Sequence, residues 1–191
     1  MINTAYKTIA DWVVEGSSVL DLGCGDGELL SLLVEKKNVK AIGIEISEQA
    51  IYKCVAKGIS ALHENIENGL NGYADKSFEY VLLYNTFQEV KNPKAVLEEA
   101  IRVGKRVIVG FPNFVYYKSR MQIFFSGKVP VTQSLPYYWY DTPNLHFLSI
   151  IDFTDYCRTK KIGITKRSFI NSKGQVKLFP NLFAEIGMFE I

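Results

Sequence analysis

A chain of 191 residues, 48% apolar and 22% charged, has the length and core material of one ordinary globular domain. Its formal net charge of +2 is too small to argue for nucleic acid or a membrane surface as partner. No run approaches the roughly 20 apolar residues of a spanning helix. The N-terminal residues lack the basic and apolar regions of a secretion signal, and Cys24, Cys54 and Cys157 are too scattered for a disulfide framework or a zinc site. Reduced thiols in a cytoplasmic protein without a metal are expected.

In chain order, residues 3–15 place Ala5, Ile9, Trp12 and Val13 on one face of a helix that Gly16 ends. Residues 18–22 are a short apolar run before a glycine cluster, the mark of a buried parallel strand. A helix over 27–36 and a strand over 39–45 follow. Ser47 is a good N-cap for a helix reaching about Lys57, with Gly58 closing it. Strands are expected at 59–63, 78–84 and 106–111, with a helix opened by Pro93 and running through Arg102 before the last of them. Strand and helix thus alternate from 18 to 111, which defines a doubly wound α/β sheet. Residues 112–147 then gather four of the six prolines and ten aromatics, with one helix over 115–125. A helix over 152–161 and closing strands at 164–170 and 183–191, with a turn at 171–174, complete one domain spanning 1–191.

The chemistry-bearing motif occupies the first strand-to-helix turn. Residues 19–27 read Val-Leu-Asp-Leu-Gly-Cys-Gly-Asp-Gly, placing Asp21, Gly23, Cys24, Gly25 and Gly27 between strand and helix. Glycines let the chain turn tightly and let a ligand lie against bare backbone, and the next helix offers that ligand its free N–H groups. A dinucleotide fingerprint spaces its glycines G-x-G-x-x-G. Here the spacing is G-x-G-x-G, preceded by an acid. A pyrophosphate in this turn disfavours a nearby carboxylate. The tail of S-adenosylmethionine (SAM) instead carries a cationic amine, which Asp21 can hold directly or through water. Glu45 ends the second strand, where a carboxylate accepts the ribose hydroxyls of an adenosine ligand. NAD enzymes share that contact, so Glu45 indicates the adenosine alone.

This set of residues resembles the class I SAM-dependent methyltransferases, whose motif is D/E-x-G-x-G-x-G after strand one and an acid at the end of strand two. The likeness covers about 18 to 111. It implies a Rossmann-like fold with a doubly wound, seven-stranded, mostly parallel sheet whose last strand is antiparallel. In that family the residue after strand three, usually Asp, contacts the adenine amine. Asn65 stands at the matching position, its side-chain oxygen available for that contact, and Ile66 is implied near the adenine face. Ile46 beside Glu45, and Tyr84 after strand four, complete the implied pocket for SAM or S-adenosylhomocysteine (SAH). The loop over 84–87 is implied near the reactive methyl.

A longer set of segments is similar to the methionine-biosynthesis protein W (MetW) family: 19–30, 43–45, 102–106, 110–114, 130–132, 135–146 and 181–185. Together they reach across nearly the whole chain, and the aromatic segment is not shared by generic methyltransferases. The resemblance implies an accessory or regulatory subunit of a homoserine O-acetyltransferase of the α/β-hydrolase type. It leaves open whether the chain methylates anything itself. The alternative is a stand-alone SAM-dependent methyltransferase acting on a small molecule.

Methyl transfer from a sulfonium needs mostly alignment, with a base only where the acceptor must lose a proton. The Asn-Pro-Pro-Tyr pattern of many amino methyltransferases is missing; Asn85, Thr86, Phe87 and Gln88 stand there instead. His146 and Tyr84 are weak candidates for a catalytic role, and His63 reads as a rim residue. Tyr84 and Glu89 either face a substrate or line the cleft. The aromatics of 112–147 either cover the sheet as core or form a lid or docking surface.

Overall fold

The computed structural model describes residues 4–191, so Asn3, where the first helix is expected to begin, lies outside the described residues. The chain divides into two units, one ending at Val109 and one running from Gly110 to Ile191. The first opens with α1 (Thr4–Trp12). It then alternates β1 (Ser18–Leu22), α2 (Glu28–Lys37), β2 (Lys40–Glu45), α3 (Glu48–Ala56), β3 (Ser60–His63), β4 (Phe78–Tyr84), α4 (Pro93–Val103) and β5 (Gly104–Pro112), the last three residues of which belong to the second unit. The strand order is β3-β2-β1-β4-β5.

Parallel register explains how this unit makes a site. Asp21 of β1 lies opposite Gly43 of β2 and Leu82 of β4, and Glu45 of β2 lies opposite His63 of β3. The C-terminal ends of β1 to β4 therefore open together at one edge of the sheet, where α/β folds of this kind place their ligands. Leu20, Leu22, Ile44, Leu82 and Leu83 are buried, each contributing roughly 1.5–3 kcal/mol by leaving water. The helix caps follow the expected chemistry. Ser47 accepts the Ala50 N–H at 3.4 Å, and Asn92 accepts that of Ala95 at 3.2 Å ahead of Pro93.

The second unit contains α5 (Tyr117–Ser126), α6 (Ile150–Thr159), β6 (Lys166–Asn171), β7 (Gly174–Gln175), α7 (Pro180–Phe183) and β8 (Ile186–Glu190). Both β7 and β8 pair antiparallel with β6. The sheet class is the expected one. The two-residue β7 adds an eighth strand to the seven predicted, because the turn after Asn171 folds back far enough to pair twice. α6 begins two residues before the expected Asp152, since Ser149 is its N-cap and forms a reciprocal capping box with Asp152.

Phe111, Phe153 and Phe189 pack at centroid distances of 4.8–5.9 Å and form the centre of this unit. The aromatic segment contributes little to that core. Tyr116 and Leu135 are buried, whereas Phe124 (81%), Phe125 (72%), Trp139 (73%) and Tyr140 (68%) are largely exposed. Of α5 only Ser119 is buried. No helix among the described residues is long and apolar enough to cross a membrane.

Candidate functional site

A cavity of about 360 Å³ opens at the C-terminal ends of β1 to β4. It is walled by the glycine turn after β1 (Gly23, Gly25), by Glu45 and Ile46 after β2, by Glu64 to Glu67 after β3, and by Tyr84 to Thr86, Glu89 and Val90 after β4.

Three residues of the turn, Gly23, Gly25 and Gly27, hold φ of +82°, +54° and +74°. Glycine alone adopts these values without strain. The Gly23 and Cys24 N–H groups donate to the Ile44 carbonyl at 2.8 and 3.1 Å, which pins the turn to β2. Gly23 also has a steric reason: a Cβ there would lie 2.5 Å from Thr86 Oγ1. At Gly25 the space that a Cβ would fill is open, so this backbone is bare on the cavity side. Beneath the turn the Cys24 and Cys54 sulfurs lie 3.9 Å apart, both buried and free, and Cys54 Sγ donates to the Gly25 carbonyl at 3.2 Å.

Glu45 is the turn's second anchor. Its Oε2 accepts the Gly25 N–H at 2.9 Å, and its Oε1 accepts those of Ile46 and Ser47 at 2.8 Å each. One carboxylate thus clamps both walls of the cavity mouth, a structural duty that the sequence alone did not reveal. Glu45→Ala is expected to leave three N–H groups without their acceptor. Melting temperature should fall, and affinity for SAM should fall by about tenfold or more. Calorimetric titration checks this, and unchanged affinity would remove Glu45 from the ligand site.

Asp21, near the end of β1, is 3% exposed, and its carboxylate makes no hydrogen bond among the described residues. Burial, then the charge of Glu45, pushes its carboxyl up to about 7. A buried acid without a donor is costly to ionise and gains most from a cation. Nearby, the Tyr6 ring meets the Tyr84 ring edge-on at 5.7 Å, and burial raises its hydroxyl far above the ordinary tyrosine value.

After β3, Asn65 Oδ1 accepts the Glu67 N–H at 2.9 Å and so caps the 3₁₀ turn Ile66–Asn68. An amide oxygen has a second lone pair, which remains for an adenine amine. His63 is exposed at the rim, its Nε2 held 2.8 Å from the Ile46 carbonyl.

Of the residues expected at the ligand, Gly23, Gly25, Glu45, Ile46, Asn65, Ile66 and Tyr84 line the cavity; Asp21, Cys24 and Gly27 do not, the last being the N-cap of α2. His146 lies in the second unit, exposed, and is not among the lining residues. Sequence reasoning overlooked Glu64 and Glu67, which flank Asn65 in the chain and could have been suspected on that ground, and Tyr6, which no motif marks. Among the described residues no group of three or more His, Cys, Asp or Glu side chains is arranged for a metal.

The arrangement fits a cationic adenosine ligand: a bare glycine turn, carboxylates at the strand ends and an unpaired buried acid beside them. The fold is the α/β Rossmann-like fold of the class I methyltransferases. Two solved structures have the same fold. A SAM-dependent methyltransferase from Thermotoga maritima, described as a possible histamine N-methyltransferase, is 21% identical with a TM-score of 0.68, covering 98% of this chain and 86% of that one. The plantazolicin methyltransferase in complex with SAH is 16% identical with a TM-score of 0.64, covering 98% and 79%. The chain belongs to the family of methionine biosynthesis protein MetW, whose model matches residues 3–191. It is similar to the bifunctional methionine biosynthesis protein MetXA/MetW of Rhodopirellula baltica, at 30% identity over 177 residues. That match covers 88% of this chain and 28% of the relative, so the chain spans little more than a quarter of it.

Proposed function

We propose that this chain binds SAM or SAH at the glycine-turn cavity and serves as an accessory, SAM-responsive subunit of a homoserine O-acetyltransferase of the α/β-hydrolase type. The observation that carries the partner is the MetXA/MetW relative, in which a MetW-like part is joined in one chain to a second part. We read that second part as the acetyltransferase. A linked pair works at high effective concentration, and separate chains that do the same job need a docking surface instead. The exposed aromatics of the second unit offer residue types typical of such surfaces.

In this reading the chain's residues bind rather than react. Asp21, buried behind the cavity lining, attracts the ligand's ammonium directly or through water, Glu45 takes the ribose hydroxyls, and Asn65 and Ile66 the adenine. The bound group supplies a methyl sulfonium, and among the described residues no histidine lines the cavity.

The test is O-acetylhomoserine formation by the matching acetyltransferase, with and without this chain, across a SAM titration. A changed rate that follows SAM is expected. No change in rate and no co-purification would end the accessory reading. A second reading, a stand-alone methyltransferase for a small molecule, is favoured by the cavity's Glu89, whose carboxylate could take a proton from an acceptor beside Tyr84. Product from labelled SAM and a defined acceptor would establish it.

A further inference from the structure

Four carboxylates, Glu45, Glu64, Glu67 and Glu89, line the cavity, and no lysine, arginine or histidine does so among the described residues. Two of the four are occupied. Glu45 holds three backbone N–H groups, and Glu67 Oε1 accepts those of Lys91 and Asn92 at 2.7 and 3.3 Å. Glu89 makes no side-chain hydrogen bond or ion pair among the described residues.

The turn after β4 fixes where Glu89 points. Phe87, Gln88 and Val90 are buried; Gln88 Nε2 donates to the Asn85 carbonyl at 2.7 Å, and the Glu89 N–H donates to that of Thr86 at 2.9 Å. Asn85 takes φ +58° to begin the turn. With its neighbours packed inward, Glu89 is left exposed at the cavity wall, beside Tyr84 and Thr86. Partial desolvation at the concave cavity wall, then the charge of Glu45, raises its carboxyl above the ordinary glutamate value even though the side chain keeps access to water. A cation arriving there relieves that repulsion.

We infer that this cavity selects the charged sulfonium of SAM over the neutral thioether of SAH, with Glu89 as the selecting residue. The inference rests on the SAM reading above and sharpens it. SAM and SAH differ by one methyl and one positive charge, and shape alone separates such a pair weakly. A surplus of carboxylates with no compensating cation separates them by charge. A subunit that reports SAM has to ignore SAH, because consuming one produces the other.

Calorimetric titration of the full chain with SAM, SAH and sinefungin, in which an amine-bearing carbon replaces the sulfonium, tests this. SAM and sinefungin should bind alike and SAH about tenfold more weakly. Glu89→Gln keeps the shape and removes the charge. It should cut the preference to about threefold by weakening the two cations and leaving SAH unchanged. Glu98→Gln, on an exposed acid of α4 paired with Lys94, controls for net charge and should leave the preference intact. SAH binding as tightly as SAM overturns the inference. So does a preference that Glu89→Gln leaves untouched. If none of the three ligands binds, the SAM reading itself fails and the inference falls with it.

Discussion

Asp21→Asn is expected to make the ligand-free protein more stable at pH 8 while removing most of its affinity for SAM. Both effects have one cause. A carboxyl with an ordinary value of 3.8 is held at about 7 by burial and by the charge of Glu45. The folded chain keeps this proton at pH values where the unfolded chain has already released it. Stability therefore falls as pH rises from about 4 to 7, and above that the full cost is in place, about 4 kcal/mol. Asparagine has the same shape and no charge to bury. Its advantage over the parent should be negligible near pH 4 and largest at pH 8, at roughly 2–4 °C of melting temperature for each kcal/mol recovered.

The same substitution removes the buried partner of the ligand's ammonium. Breaking a buried ion pair from one side costs about 3–5 kcal/mol, so SAM should bind on the order of 100- to 1,000-fold more weakly. For the parent protein, SAM affinity should rise with pH through about 7 as Asp21 ionises. Thermal melts at pH 5 and pH 8 with titrations at the same values measure all of this. An Asp21→Asn protein no more stable than its parent at pH 8 would overturn the account of the buried charge. Unchanged SAM affinity would take Asp21 out of the ligand site.

Asp21 and Glu89 meet the same condition from two positions. Asp21 is buried behind the cavity lining and Glu89 stands on the cavity wall, and neither carboxylate has a hydrogen-bond or ion-pair partner among the described residues. Glycine and carboxylate positions chosen for packing alone would not leave Asp21 buried without a donor, nor Glu89 turned outward from a turn whose other side chains pack inward. Natural proteins hold such costs at functional sites and offset them elsewhere, here in the apolar strands.

That division also explains what could be read from the sequence. The parallel half was legible because its strands are short apolar runs bounded by glycine, and because Ser47, Gly58 and Pro93 carry local cap chemistry. The glycine turn was legible for the same reason: three left-handed φ values within five residues favour glycine and leave a mark in one dimension. Glu45's grip on Gly25 spans 20 residues of sequence, and only the β1–β2 register brings the two together. Gly43 looked like part of a strand and a family segment. The reason for it is Cys24, whose sulfur and Cβ occupy the space that a side chain at 43 would need. Glu89 depends on how Phe87, Gln88 and Val90 pack, which no periodicity records. The aromatic segment was read two ways because aromatic residues mark cores and surfaces alike, and only the burial of each residue separates them.

Gly25→Val should abolish measurable SAM binding in a protein that still folds. The position has φ +54°, and a Cβ there would meet nothing within 4 Å. The Cβ itself therefore meets no collision, and the backbone strain is about 1–2 kcal/mol for a left-handed residue other than glycine. The branched side chain then stands in the cavity, on the bare backbone where the tail of SAM is proposed to lie. Affinity should fall by a factor of roughly 100 or more. Gly25→Ala carries similar strain with one methyl and should lose less, so the pair separates filled space from strained backbone. Gly23 makes the contrast, since a Cβ there would collide with Thr86 and disturb the turn itself. Circular dichroism and thermal melts should show Gly25→Val close to its parent while titration shows no SAM. Retained affinity in a folded Gly25→Val protein would mean that the ligand does not lie against this turn, and the cavity assignment would fail.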